Sequence, residues 1–348
     1  MKILFMGTPD FALFSLRALC DAGENVVGVV TQTDKPKGRG YELCPPPVKV
    51  FAEERGIPVY QPKTLRGDEF AETLSQIGPE MIIVVAYGKI LPENVINYPK
   101  YGCINVHGSL LPKYRGAAPM QRAIIDGEAV TGITTMYMDV GLDTGDMIMK
   151  REVEIGADDN FEDIHDKLGE CGAKLLLETV NAIRNGTATR KKQNDAEMTY
   201  AAKIEKSDCL IDFGKSAKQV HDLIRGLSPI PLAFTHTGDG KLLKVIKSVI
   251  SDKTSREKAG TVVSLDNGIT VACGDGGCVD ILRVLPEENG RTGFYTRQKD
   301  FHRRYSVIKP KGEFSDVLLR QHISCYSSRA HIRALGADTR SEHLLKVQ

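Results

Sequence analysis

Apolar residues recur along this chain in two rhythms, short runs a few residues long and longer stretches at helical spacing. Residues 2 to 6 (Lys-Ile-Leu-Phe-Met) end at Gly7-Thr8-Pro9-Asp10, after which Phe11, Leu13, Phe14, Leu16 and Leu19 repeat as on one face of a helix. The pattern predicts a strand, a turn and a helix capped by Asp10. Asn25 to Thr31 predicts a second strand and Pro46 to Gly56 a second helix. Met81 to Ala86 is apolar on both faces, as a central parallel strand would be. Cys103 to His107 and Gly132 to Met138 predict two further strands, each delivering a polar motif at or just past its carboxyl end. Strands alternating with helices predict an α/β fold with a doubly wound, mostly parallel sheet, whose ligands bind outside the carboxyl ends of the strands.

A long helix is predicted from Phe161 to Arg184, with Ile164, Leu168, Leu175, Leu176, Val180 and Ile183 on one stripe. His165 within it reads as a surface or internally satisfied residue. Asn185-Gly186 ends the helix, and the polar stretch Thr187 to Met198 reads as a linker. One helix near Lys215 to Gly226 precedes short strands at 233–237, 242–250, 260–264, 269–272 and 279–285, separated by Gly-Asp-Gly and Asp-Asn-Gly turns. Such strands suit a small β-barrel, and an OB-like barrel would suit nucleic acid. The expected organisation is a first domain over 1–186, a linker over 187–206, a second domain over 207–310 and a tail of unknown structure over 311–348. Between Thr33 and Pro47 the chain reads as an irregular basic loop, Asp34-Lys35-Pro36-Lys37-Gly38-Arg39-Gly40 at its centre.

Charge adds one asymmetry to this picture. The 348 residues carry a net charge of +1, but residues 1–206 hold 24 basic and 29 acidic side chains while 207–348 hold 22 and 16. The basic second part is consistent with a polyanionic partner, or with a solvated tail, since after Asn289 there are 12 basic and 5 acidic residues. The eight cysteines are scattered without a Cys-x-x-Cys pair, and no apolar run approaches the roughly 20 residues of a membrane span, so a reduced, soluble, cytoplasmic protein is expected. Cys273 and Cys278 flank Gly-Asp-Gly-Gly and read as a hairpin rather than a metal site; no metal is expected. The turn Gly7-Thr8-Pro9-Asp10 lacks Gly-x-Gly-x-x-Gly, and Pro9 removes a backbone donor that a phosphate would need.

The candidate chemistry lies in Asn105-Val106-His107-Gly108-Ser109-Leu110-Leu111-Pro112 and in Asp139-Val140-Gly141-Leu142-Asp143-Thr144-Gly145-Asp146. Asn105 and His107, two apart on a strand, face the same way, so an amide donor and an imidazole can converge on one reacting atom. With Asp143 brought in by a loop they would make an acyl-transfer site. Taken singly, each has a structural reading: Asn105 closing a strand end, His107 a satisfied polar residue, Asp143 an Asx-turn residue before Gly145.

These segments, with Arg115-Gly116-Ala117-Ala118-Pro119, Gly7-Thr8-Pro9-Asp10-Phe11, Val84-Val85-Ala86-Tyr87-Gly88 and Asp34 to Gly40, resemble the methionyl-tRNA formyltransferase family from residue 2 to about residue 285. The resemblance implies a formyltransferase-type sheet followed by the smaller OB-like domain. It also implies transfer of a formyl group from 10-formyltetrahydrofolate to the α-amine of initiator methionyl-tRNA. On that resemblance Asn105 is the oxyanion donor, His107 its companion in stabilising charge and moving protons, and Asp143 the residue that orients the imidazole. Ser109, Leu110, Leu111 and Pro112 would line the folate site, or form a rigid loop supporting His107. Lys35, Lys37 and Arg39 would reach the tRNA acceptor end, with Arg39 discriminating. A monomer is expected. Formyl transfer to a ribonucleotide or sugar amine, hydrolysis of the donor, and a non-catalytic folate- or RNA-binding module are the competing readings. The resemblance fades after about Pro286.

Overall fold

The computed structural model of the protein describes residues 1–37, 42–238, 240–266, 268–288, 291–292 and 308–309. Its two compact units are Met1–Leu210 with Lys218–Ala233, and Ile211–Ala217 with Phe234–Gln348.

The first unit begins β1 (Ile3–Gly7), α1 (Asp10–Asp21), β2 (Val26–Val30), β3 (Lys35–Lys37), β4 (Glu42–Cys44), α2 (Pro47–Glu54), β5 (Val59–Tyr60) and α3 (Asp68–Ile77). It continues through β6 (Met81–Val85), α4 (Glu93–Ile96), β7 (Cys103–His107), β8 (Arg115–Gly116), α5 (Pro119–Ile125), β9 (Val130–Tyr137) and β10 (Met147–Glu154). It closes with α6 (Phe161–Arg184), β11 (Tyr200–Ala201) and α7 (Ala217–Gly226). Seven strands form one sheet in the order β10-β9-β7-β6-β1-β2-β5. The run from β5 to β7 is parallel, and β9 and β10 are antiparallel additions. The chain winds outward from β1 through β2 to β5, then returns to β6 on the other side of β1, which makes a topological switch point.

Both faces of the sheet are covered, as the apolar runs require. On one face Phe5, Ile83, Ile104 and Val106 pack with Leu16 of α1 and Leu168 and Leu176 of α6. On the other, Leu4, Met6, Ile82 and Val84 pack with Phe70 and Leu74 of α3 and Val95 of α4. The 24-residue α6 is started by a capping box: Asn160 Oδ1 accepts from Glu162 N at 2.7 Å and Asp163 N at 3.2 Å, and Asp163 Oδ2 accepts from Asn160 N at 2.9 Å. Gly169 lets it approach α1, since a Cβ there would lie 2.5 Å from the Phe14 ring.

Several expectations are corrected. Asp10 is the first helical residue of α1 rather than its cap; Pro9, in an extended conformation, holds the cap position. The basic segment is not irregular throughout, because β3 and β4 pair antiparallel, Lys35 opposite Cys44 and Lys37 opposite Glu42. The next strand of this sheet after the His107 motif is β9, and it runs against β7, so its carboxyl end lies at the amino end of β7. The stretch expected as a spacer is folded onto the first unit: β11 pairs with β8, and Lys191 exchanges two backbone bonds of 2.9 Å with Met147. By its contacts helix α7 groups with the first unit from Lys218 onward. Arg225 Nη1 donates to Asp159 O at 2.8 Å and Gly156 O at 3.2 Å, while Asp222 binds Arg225 and Lys218.

The second unit is a small antiparallel domain of the barrel type expected, built from β12 (Ala233–Thr237), β13 (Leu242–Thr254), β14 (Val262–Ser264), β15 (Ile269–Ala272), β16 (Gly277–Glu288), β17 (Arg291–Thr292) and β18 (Ile308–Lys309). The order is β14-β15-β16-β13-β12-β18, with β17 on β16. Register shifts along the β13–β16 pair bend these two long strands. Leu243 and Val245 alternate inward on β13, and Val279, Ile281 and Val284 face inward from β16. Cys273 and Cys278 do flank a hairpin turn, closed by Cys273 N to Gly277 O at 2.9 Å. Among the described residues no cluster of His, Cys, Asp or Glu could hold a metal, and no helix is long and apolar enough to cross a membrane. The expected tail, 311–348, lies outside the described residues.

Candidate active site

Strand β7 sends Ile104 and Val106 into the α1–α6 core, so Asn105 and His107 share the opposite face. They are 8% and 6% exposed. Asp143 comes from the loop between β9 and β10. That loop leaves beside the start of β7, where Met138 N donates to Cys103 O at 2.7 Å, and it carries Asp143 back to His107. Asp143 has φ 52, a left-handed conformation that Asp adopts more readily than most residues. Gly145 sits against the strand it follows; a Cβ there would lie 1.8 Å from Tyr137 O.

The three side chains meet at the carboxylate. Asn105 Nδ2 is 3.5 Å from Asp143 Oδ1, and His107 Nδ1 is 3.7 Å from Asp143 Oδ2. Both separations are longer than a well-formed hydrogen bond. The carboxylate is held instead by Gly116 N, which donates to Oδ2 at 2.9 Å. His107 Nε2 lies 3.0 Å from the carbonyl oxygen of Tyr114. A carbonyl has no proton to give, so Nε2 carries the hydrogen and Nδ1 is the nitrogen that faces Asp143. The site thus presents an amide donor, a titratable nitrogen and a carboxylate around one point on the β7 face.

The neighbouring segment is a scaffold. Ser109 and Leu111 are 0% exposed. Their backbone groups are engaged as well. Thr134 Oγ1 donates to Ser109 O at 2.7 Å and accepts from Leu111 N at 3.1 Å, and Lys150 Nζ donates to Leu111 O at 2.6 Å. Burial, with Lys191 nearby, lowers the Lys150 pKa against the pull of Glu197. Pro112 is buried, and Leu110 alone of the four is partly exposed. Val140 and Leu142, on the Asp143 loop, are exposed apolar residues.

Sequence reasoning missed a second set of residues. Gln193 Nε2 donates to Asp143 O at 2.7 Å and to Gly145 O at 2.9 Å, and its Oε1 accepts from Arg115 Nε at 2.9 Å. Arg115, 3% exposed, also reaches Asp195 at 2.8 Å. Arg115 lay in one of the motifs that carry the resemblance, whereas the only signal from Gln193 and Asp195 was a polar stretch. In the basic hairpin, Lys35 Nζ donates to Gln32 Oε1 at 2.7 Å, and Lys37 is placed by its pairing with Glu42. Arg39 lies outside the described residues. The hairpin's root is a polar network in which Lys49 Nζ binds Asp34 Oδ2 at 2.9 Å and Gln61 Oε1 at 3.0 Å.

A family model described as formyl transferase matches residues 1–180, and one described as formyl transferase, C-terminal domain, matches residues 203–293. The chain is 50% identical over 277 residues to a methionyl-tRNA formyltransferase of Geobacter metallireducens, covering 79% of this chain and 88% of that one. It is 52% identical over 278 residues to a methionyl-tRNA formyltransferase of Clostridium novyi, covering 79% and 89%. In fold it resembles an N-formyltransferase from Helicobacter canadensis, solved with folinic acid and dTDP-3-aminofucose, at a TM-score of 0.60 and 20% identity, covering 81% of this chain and 98% of that one.

Proposed function

The chain belongs to the formyl transferase family, and from that membership we infer that it transfers a formyl group from 10-formyltetrahydrofolate to the α-amine of methionine esterified to initiator tRNA. The observation that carries this reading is identity of about half to methionyl-tRNA formyltransferases over 79% of the chain, together with the Asn105, His107 and Asp143 cluster.

The reaction asks for what the cluster offers. The neutral amine forms a C–N bond to the formyl carbon, and the carbonyl electrons move to oxygen. Asn105 Nδ2 and a protonated His107 Nδ1 stabilise that oxyanion, the first as a fixed dipole and the second as a cation. Asp143 holds the imidazole and receives the proton the amine must lose. Collapse of the intermediate breaks the bond to N10 of the folate, which takes up the proton held on Asp143, leaving tetrahydrofolate and formylated methionyl-tRNA. Ser109, Leu111 and Pro112 act as the rigid support of His107. Leu110, Val140 and Leu142 are the apolar side chains left to face the folate. Lys35, Lys37 and Arg39 in the basic hairpin segment meet the tRNA acceptor end, where phosphates favour cations and binding weakens with added salt.

The test is formylation of charged initiator tRNA beside charged elongator tRNA. Wild type formylates the initiator and Asn105→Ala loses about a hundredfold or more in kcat. A chain that formylates a sugar amine and ignores methionyl-tRNA would refute the acceptor, and a His107→Ala variant with full turnover would refute the catalytic assignment.

A further inference from the structure

We propose that Gln193 is the positioning residue that fixes Asp143 against His107, an inference that rests on the formyl-transfer reading above. One carboxamide ties together both loops that define the site. Its two N–H groups are spent on Asp143 O and Gly145 O, the carbonyls that flank Thr144, and its oxygen is held by Arg115 Nε. Arg115 lies between the two residues whose backbone touches the site: the carbonyl of Tyr114 accepts from His107 Nε2, and the amide of Gly116 donates to Asp143 Oδ2. The contacts close a ring that runs from His107 to Tyr114, Arg115, Gln193 and Asp143.

The ring is needed because the triad's own contacts are weak. Asp143 is 3.5 Å from Asn105 and 3.7 Å from His107, and its backbone is in the left-handed region, so the other two members of the triad do not fix it, and the bond from Gly116 N holds only its carboxylate. Gln193 is itself pinned from both sides. Lys191 bonds Met147 before it, and after it Thr199 Oγ1 accepts from Tyr114 N while Thr199 O accepts from Arg115 N, each at 2.9 Å. A displacement of about 1 Å in such a group costs on the order of a hundredfold in rate.

Gln193→Glu separates positioning from packing. The shape is kept, and the carboxylate still accepts from Arg115, but it cannot donate to the carbonyls of Asp143 and Gly145. The expected result is a kcat lower by about tenfold to a hundredfold, with KM for both substrates within about threefold of wild type and an unchanged far-ultraviolet spectrum. In an Asp143→Asn background the same change adds little, because its route to the reaction is already removed. Retention of kcat within about twofold, or losses that multiply fully in the double variant, would overturn the proposal. Gln193→Met, which keeps the length without charge, serves in the same assays if the glutamate variant does not fold. A readout on the protein alone accompanies them: the ¹⁵N resonance of His107 Nδ1, assigned with His107→Gln, moves in Gln193→Glu as it does in Asp143→Asn. A resonance that stays put refutes the role of Gln193 even if methionyl-tRNA proves not to be the acceptor.

Discussion

Thr134→Val removes one oxygen and keeps the shape of the side chain. Thr134 is fully buried on β9, and its hydroxyl is the sole described bridge between Ser109 O, 2.7 Å away, and Leu111 N, at 3.1 Å. Valine leaves a carbonyl and an amide unpaired in a site sealed from the surface. Each unsatisfied buried group costs about 1–3 kcal/mol, so a loss of about 2–5 kcal/mol is expected, against a small gain from the added methyl. Thr134→Ser makes the opposite trade, keeping the hydroxyl and losing about 1 kcal/mol of apolar burial. Stability therefore falls in the order wild type, Ser, Val. Urea unfolding followed by far-ultraviolet circular dichroism measures it, because the chain has no Trp for fluorescence. Amide exchange at Leu111 gives the local value, with protection lost in the Val variant and largely kept in the Ser variant. A Val variant as stable as the Ser variant would show that the hydroxyl bridge is not what holds the 109–112 segment under His107.

Tyr87 is 1% exposed, its hydroxyl has no hydrogen-bond partner among the described residues, and burial pushes the phenol up to about 12. Tyr87→Phe removes that group and raises the melting midpoint, corresponding to about 1 kcal/mol or more; a lower midpoint would mean the hydroxyl is satisfied. Burial, reinforced by Arg225, lowers the His221 pKa from 6.5 despite its bond to Ala157 O and the nearby Asp222 and Asp158. The unfolded chain therefore binds this proton more readily than the folded one, so the contribution is full above pH 6.5 and declines as pH falls below it. Thermal midpoints measured from about pH 7.5 to about pH 5.5 fall for wild type and fall less for His221→Gln; equal slopes would remove His221 from the account. Gly145→Ala sets a Cβ 1.8 Å from Tyr137 O and displaces the Asp143 loop, lowering kcat by about a hundredfold with the far-ultraviolet spectrum unchanged; an active variant would show that the loop has room.

What the sequence revealed tracks how local each cause is. The helix Phe161–Arg184 was legible because its stripe and its Asn185-Gly186 end lie in the segment itself. Asn105 and His107 were legible as a pair because strand alternation alone puts them on one face. β10 was not legible, since its exposed Lys150, Arg151, Glu152 and Glu154 reflect a strand at the sheet edge, met on its outer side only by the bridge from Met147 to Lys191. β3 and β4 were hidden for a similar reason, a three-residue pairing being too short to leave a periodic trace. The segment 187–206 was polar and read as a spacer, because its role is to pair with the backbone of β8 and to bond Asp143 and Gly145, contacts that need polar groups rather than an apolar face.

The direction of β9 accounts for the unusual residues of the site. In the parallel part of the sheet every strand ends on the same side. β9 runs the other way, and the loop after it begins at the amino end of β7, beside Cys103, on the wrong side of the strand from His107. The acid can reach the imidazole only if the chain folds back. That return requires a residue with no Cβ against Tyr137 O, met by Gly145, and a left-handed turn at the acid itself, met by Asp143. It also requires partners for carbonyls that no strand is placed to pair, met by Gln193. Each feature departs from what its own neighbourhood would favour, and all three follow from one antiparallel strand. The cluster that carries the chemistry is therefore half dictated by strand periodicity, at Asn105 and His107, and half by the cost of bringing Asp143 back across the strand.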